Sequence, residues 1–432
     1  MFLDFRFKNF TSFRDEAILS AETGARLTKY KETNTFPGDD VSLLKNLLIF
    51  GANGAGKSQV FNALGIMQLM VLNDTTQNVT QKLPYSPFAF NEKNRKEPTE
   101  LVIRIKLDET IYEYSITYNL TTVLREKLVL VEGKDENIYF ERVNQDILIE
   151  PANLHNIENR LRSNGLLLFL AQQENDEVAS RVYKWFSEDL MFVNPSAEIP
   201  KEYQKLLLED IELKKEMVAF LNFADFNITD IKVRKVAVNY PESVTKLMKQ
   251  LGDDVPKSSY QVFTIHKVYN DKGEVLGNQE LPLSEESIGT QKLFFIVLAM
   301  ISSQIDGNNK TLLIDEFDDS LHHDLASALV DLFNTKENNN QYIVSTHDFK
   351  LLDNGIRVDQ IYFVEKDFDG ASDIKSAFDF TDSRTTARRD AHFAKKYIEG
   401  KYGGVPVIDT QGLANVLKNV NKHLGDIYGE EK

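Results

Sequence analysis

The residues Gly51-Ala52-Asn53-Gly54-Ala55-Gly56-Lys57-Ser58 fit the spacing G-x-x-x-x-G-K-[ST]. Glycines in such a run let backbone N–H groups converge on phosphate oxygens, and a helix that follows adds partial positive charge at its N-terminus. Asn53, Gly54, Ala55 and Gly56 would form the cradle. Lys57 would reach the β- and γ-phosphates, and Ser58 would offer its hydroxyl to Mg²⁺. That is the chemistry of a Mg·ATP site. The plainer alternative is a glycine-rich turn that merely precedes Lys-Ser. The second chemical element is Thr311-Leu312-Leu313-Ile314-Asp315-Glu316, an apolar run ending in two carboxylates. Asp315 would orient Mg²⁺ through water and Glu316 would polarise the attacking water. Alone it reads equally as an acidic loop after a core strand, but phosphoryl transfer needs both parts together. A third run, QYIVSTH, ends in His347, which at the carboxyl edge of a sheet strand would face the ligand crevice and could donate a hydrogen bond to the γ-phosphate.

These groups need elements to hold them. Leu47 to Phe50 is a short apolar run that predicts a strand leading into the glycine loop, and SQVFNALGIMQLMVL after it has apolar residues at helical spacing. Phe2, Phe5 and Phe7 alternate with mostly polar residues and predict another strand. From about Pro84 to Phe140 the alternation in ELVIRIKL, TIYEYSITYN and LREKLVLVEG predicts an antiparallel meander. From about Asn153 to Phe223 the pattern turns helical and charged, in RLRSNGLLLFLAQ, EVASRVYKWFSEDL and EYQKLLLEDIELKKEMVAFL. Unbroken heptads are too few for a long coiled-coil arm. ITDIKVRKVAV and YQVFTIHKVY read as strands, and QKLFFIVLAMISSQI, TLLIDEF, DLASALVDLFN, QYIVSTH and QIYFVEK then alternate helix with strand. Such alternation favours an α/β sheet with helices on its faces. No fixed-period repeat or low-complexity tract interrupts it.

Composition excludes several other chemistries. Of 432 residues, 42% are hydrophobic, enough for a sizeable core. Lys and Arg total 50 against 66 Asp and Glu, a formal charge of −16, so any nucleic-acid contact would be a local patch. The absence of cysteine rules out disulfides, thiolate metal sites, iron–sulfur clusters and a cysteine nucleophile. No run approaches the roughly 18 apolar residues of a membrane helix, and the opening MFLDFRFKNF has no leader pattern. A cytoplasmic protein without a membrane partner is expected.

The order KNFTSF, GANGAGKS, a long insertion, LSEESIGTQKL, LLIDEFDDSLH and VSTHD resembles the ABC-type ATPase heads of the SMC and RecF class. LSEESIGTQKL stands where those heads carry an LSGGQ-like signature. Ser287 and Gly289 keep the serine and one glycine, while Ile288 and Thr290 depart from the pattern. The resemblance implies a nucleotide-sandwiched homodimer, or a higher oligomer, in which Ser287 and Gly289 complete the ATP site of the other subunit. By the residues alone, the segment is an ordinary capped helix start. The resemblance also implies a Q-loop glutamine, with Gln68 and Gln81 as candidates. FKNFTSFRDE, the ES-x-GT signature, DEFDDSLHH and the tail AHFAKKYIEGKYGGVP further resemble the compact AAA-family ATPases of bacterial anti-phage systems, of the RloA, AbiL-like and PARIS types. That likeness implies an abortive-infection switch that controls a partner effector, a nuclease or toxin, in response to a phage protein or nucleic acid. The competing reading is a RecF- or SMC-like DNA-binding ATPase of repair or recombination, and a third is a scaffold that binds ATP without turnover.

Four weaker signals remain. Glu132-Gly133 and Asp367-Phe368-Asp369 resemble Toprim carboxylates that could bind two Mg²⁺, or else are two turns. Arg384, Arg388, Arg389, Lys395, Lys396 and Lys401, interleaved with Phe393, Tyr397 and Tyr402, could touch nucleic acid or could form a solvated amphipathic helix over the sheet edge. His322 and His323 are adjacent, without the spacing of a shared metal, and suit a cap or a dimer contact. Trp185 reads as core. The expected fold is thus α/β, an ABC-ATPase (P-loop NTPase) head with a β-rich N-terminal lobe and an inserted helical subdomain. Its expected divisions are 1–150 for the lobe with the glycine loop, 151–227 for the helical insertion, 228–380 for the second ATPase lobe and 381–432 for the basic tail.

Overall fold

The computed structural model describes residues 1–38, 41–72, 78–133, 135–151, 154, 157–193, 210–223, 227–237, 258–305, 307, 309–379, 393–399, 411–412 and 414–420. In chain order the N-terminal half runs β1 (Phe2–Lys8), β2 (Ala17–Ser20), α1 (Lys31–Asn34), β3 (Thr35–Phe36), β4 (Leu43–Leu44), β5 (Asn46–Phe50) and α2 (Lys57–Leu72). The meander follows as β6 (Thr99–Leu107), β7 (Thr110–Tyr118), β8 (Val123–Glu132), β9 (Asp135–Val143) and β10 (Asp146–Ile149). Next come α3 (Leu167–Gln173), α4 (Glu177–Lys184), β11 (Leu190–Phe192), α5 (Ile211–Phe223), β12 (Ile228–Ala237), β13 (Ser258–Tyr269) and β14 (Val275–Pro282). The chain closes with α6 (Ile288–Ile305), β15 (Thr311–Ile314), α7 (His323–Phe333), β16 (Gln341–Thr346), β17 (Ile361–Lys366), β18 (Ser372–Ser376) and α8 (Phe393–Ile398).

Two large sheets do the positioning. The antiparallel lobe has the order β10-β9-β8-β7-β6-β1-β2, and the central sheet has the order β11-β15-β16-β5-β17-β18, parallel except for its last strand. In the lobe, alternate residues are buried along much of β6 and β7, such as Leu101 and Ile103 or Tyr112 and Tyr114, and Phe5 and Phe7 of β1 join the same core. This is the alternation legible in the sequence. The central strands NLLIF, TLLI and QYIVST are instead buried at every residue. Alternate residues enter different cores. Leu47, Ile49, Leu313 and Ile343 join the lobe-side core, whereas Leu48, Phe50, Leu312 and Val344 join the core on the opposite face. A strand covered on both faces shows no polar alternation.

The helices expected between 151 and 227 are shared between these two cores. Leu167, Leu168, Ala179 and Trp185 pack with the lobe, Met217 and Leu221 of α5 pack with α6 on the other face, and β11 pairs in parallel with β15. One buried ionic node fastens the first part. The Glu126 carboxylate accepts the N–H groups of Leu167 (2.7 Å) and Leu168 (2.9 Å), the Tyr114 hydroxyl (2.8 Å) and Arg142 Nε (2.9 Å). Capping and charge pairing together replace the water that the buried carboxylate gives up.

In the tail, Tyr397 of α8 stacks on Phe363 of β17 with centroids 5.3 Å apart, so this helix covers part of the sheet. Arg384, Arg388, Arg389, Lys401 and Tyr402 lie outside the described residues. Among the described residues no helix is long and apolar enough to cross a membrane.

Candidate phosphate site

Parallel pairing brings the three chemical runs to one edge. Phe50 pairs with Thr346 and with Phe363, and Ile314 pairs with Val344. The residues that follow these strands, Gly51, Asp315 and His347, therefore all emerge on the same side, where ligands of parallel sheets bind. The loop from β5 to α2 lines a cavity of about 300 Å³ together with Thr11, Ser12, Gln59, Glu316 and Lys366. Asn53, Gly54, Gly56, Lys57 and Ser58 all contribute to that lining. Ala55 instead faces the floor, where its carbonyl accepts the Ser372 hydroxyl at 2.6 Å.

Gly56 carries much of the loop's shape. Its φ is +119°, and a Cβ there would lie 2.6 Å from Ser372 Oγ and 3.0 Å from Ser12 Oγ. Only glycine meets both demands. The Ser372 hydroxyl also reaches Ser12 Oγ at 2.8 Å, so the loop rests on two serines from opposite ends of the chain. Lys57 Nζ donates to the carbonyls of Gly51 (2.7 Å) and Ala52 (3.2 Å) within its own loop. Burial holds its ammonium below the usual lysine range, and Asp315, Asp318 and Glu316 push it back up. A phosphate arriving on the loop amides would offer the same ammonium stronger, charged acceptors.

The carboxylates sit on a tight turn after β15. Ser345 of β16 donates its hydroxyl to Asp315 Oδ1 and accepts the Glu316 N–H at 2.8 Å, which fastens both carboxylate residues to the neighbouring strand. Glu316 has φ +49°, a left-handed conformation uncommon for a residue of its kind. Such geometry persists where surrounding contacts impose it. Asp315 and Ser58 line adjoining cavities that share Thr11 and Gln59. A hydroxyl and a carboxylate, with phosphate oxygens and water completing an octahedron, are the donor set that suits Mg²⁺. The residues present thus fit both ATP and Mg²⁺.

Other expected residues stand elsewhere. His347 does not line the cavity; its Nδ1 lies 3.2 Å from Oδ2 of the buried Asp318. Ser287 and Gly289 open α6 and do not line the cavity of their own chain. Neither candidate for the Q-loop reaches it. Gln68 donates to the carbonyls of Phe186 (2.7 Å) and Leu190 (2.9 Å), and the Gln81 carbonyl accepts Asn164 Nδ2. Both serve as packing links, and Gln59, next to Ser58, is the glutamine in the lining. Glu132 ends β8 beside a hairpin turn, and Asp367 and Asp369 shape the turn after β17, on a different sheet. His322 caps α7 through Asp324 N–H, and His323 Nδ1 lies 2.5 Å from Asp348 Oδ2. Ser12, Ser345, Ser372 and Lys366 were not singled out from the sequence. Ser345 lies inside the run that ends in His347, whereas Ser372 carries no local signal.

A family profile described as "AAA domain, putative AbiEii toxin, Type IV TA system" matches residues 47–353, a span that includes both the glycine loop and the carboxylate turn. The chain belongs to this AAA-domain family. Its fold is an α/β P-loop head with a β-rich lobe and inserted helices. No curated protein matches it. Among solved structures it is similar to an SmcHead bound to the C-winged helix domain of ScpA, at 12% identity and a TM-score of 0.41 over 87% of this chain and 97% of that one. An SMC head domain from Thermotoga maritima matches at 12% identity and 0.36, over 87% and 98% of the two chains. An Smc head domain with an extended coiled coil, bound to the C-terminal domain of ScpA derived from Pyrococcus furiosus, matches at 14% and 0.39, over 87% and 96%.

Proposed function

We propose that this AAA-domain protein binds and hydrolyses Mg·ATP as a homodimeric switch that controls a partner effector, a nuclease or toxin, in bacterial defence against phage. One observation carries the enzymatic part: Glu316, far along the chain from Lys57 and Ser58, lines a single cavity with them and the glycine loop. When bound, ATP supplies the phosphoryl group and Mg²⁺ neutralises its developing charge. The loop N–H groups and Lys57 would hold the β- and γ-phosphates, Ser58 and Asp315 would hold the metal, and Glu316 would orient the attacking water. His347, oriented by Asp318, would complete the γ-phosphate contacts.

Ser287 and Gly289, away from their own cavity, suit a role in the site of a second copy, which would make closure of the dimer dependent on ATP. The family's description, which names a toxin system, supports the defence role. The test is direct. Lys57→Ala is expected to abolish Mg·ATP binding, while Glu316→Gln is expected to keep ATP and accumulate as dimer in analytical ultracentrifugation. Unchanged hydrolysis in both variants would overturn the enzymatic reading. Plaque counts in cells carrying this gene and its neighbour, with and without Lys57→Ala, test the defence role; equal counts would refute it.

A further inference from the structure

Lys292 is a buried lysine to which the reaction so far gives no task. It lies near the start of α6, is 6% exposed, and donates its ammonium to the backbone carbonyl of Glu316. A buried ammonium needs partners, and an apolar side chain could fill such a place without that need. Burial lowers its proton affinity, while Asp319, Asp318, Glu316 and Asp315 raise it. Among the described residues, its ammonium has one hydrogen bond, to the backbone of that carboxylate turn. A second contact fixes the same two segments, because a Cβ on Gly289 would collide with the carbonyl oxygen of Ser320. Both residues touched by α6 are left-handed, Glu316 at φ +49° and Ser320 at φ +62°. Helix α6 thus presses on the carboxylate turn at each of its two uncommon backbone positions.

The same helix is capped by Ser287, whose hydroxyl accepts the Thr290 N–H at 3.1 Å. The preceding Glu286 is gripped by His266 Nε2 at 2.6 Å and by the Thr264 hydroxyl. One rigid helix therefore joins the serine to the turn that aims the glutamate. We propose that Lys292 is a positioning residue through which the α6 of one copy, engaged by Ser287 on its partner's nucleotide, sets the glutamate of its own site. The inference rests on the dimeric ATPase reading above. It makes the two sites of a dimer energetically coupled, because the helix arrangement that favours one contact favours the other.

Steady-state ATPase and direct binding of a non-hydrolysable ATP analogue test it in the full chain. Lys292→Met is expected to lower kcat by about 10- to 100-fold with the analogue's Kd changed by less than about threefold, as for loss of a transition-state contact. The Hill coefficient of the wild type is expected to fall to about one in the variant. Lys292→Arg, which keeps a donor for the carbonyl, is expected to restore most of kcat.

Mixed dimers separate action on the same copy from action on the partner. With Lys292→Met and Glu316→Gln on one chain, the other chain keeps a working site and about half the activity; on opposite chains, activity falls to the level of the variants. If Lys292→Met does not fold, Lys292→Gln is used in the same dimers and the same pattern is required. Unchanged kcat, equal losses in kcat and affinity, or equal activity in the two mixed dimers would overturn the proposal while leaving a wild type that turns over ATP. A wild type that binds no Mg·ATP would instead remove the parent reading and this one with it.

Discussion

Residues 51–58 and residues 315–320 both leave parallel strands at the same sheet edge, and they meet across one cavity through Lys57, Ser58 and Glu316. The first segment takes most of its shape from its own residues, with Ser12 and Ser372 as a floor: positive φ at Gly54 and Gly56, a helix begun at Lys57, and a lysine that bonds its own loop carbonyls. The second has no glycine at its two left-handed positions. It is held from outside, by Ser345 of β16 beside Asp315 and by Lys292 and Gly289 of α6 against Glu316 and Ser320. A binding loop that is locally encoded keeps its form whatever the neighbouring helices do. A carboxylate turn that is held by its neighbours can be moved by them, which suits the switch proposed above.

Substitutions test this contrast. The largest effect is expected from Glu316→Gln, which should lower kcat by about 10³-fold through loss of water activation while leaving Mg·ATP affinity within a few-fold. A parallel loss of affinity by isothermal titration would erase the distinction between binding loop and catalytic turn. Gly56→Ala should act on the other side of the contrast, since it adds a Cβ at φ +119° against Ser372. A strain of about 2–3 kcal/mol corresponds to roughly a hundredfold weaker Mg·ATP binding. Ser345→Ala removes one external hold on the carboxylates, and about 1–1.5 kcal/mol corresponds to a kcat about tenfold lower. An affinity loss larger than the kcat loss would contradict that assignment. Ser372→Ala is expected to be mildest, about threefold in Kd, because the loop keeps its own glycine geometry without that hydrogen bond. Away from the site, Glu126→Ala should cost about 3–5 kcal/mol in urea unfolding, because it strands a fully buried Arg142.

Much of this is legible in the amino-acid sequence. The glycine loop, the apolar run into Asp315 and Glu316, and the strand before His347 were readable because each is contiguous and each chemistry demands its residue types. The meander was readable because the lobe buries one side of its strands. The distribution of α3 to α5 between two cores was not, since helical periodicity records that a face is buried and not what buries it. The glutamines illustrate the same limit. Gln68 has the right type and sits on the helix after the glycine loop, yet its amide is spent on the carbonyls of Phe186 and Leu190. Ser372 lies 317 residues from the Ala55 carbonyl it supports, a separation no local pattern spans.

The order of residues 51–58 alone sets the form of the glycine loop, because glycine torsions and a lysine at fixed spacing belong to eight consecutive residues. Only the folded chain decided how the carboxylates are aimed. Their direction depends on a hydroxyl from the next strand and an ammonium from the helix that Ser287 caps, and hydrogen bonds between segments distant in sequence exist only after the sheet has set their register.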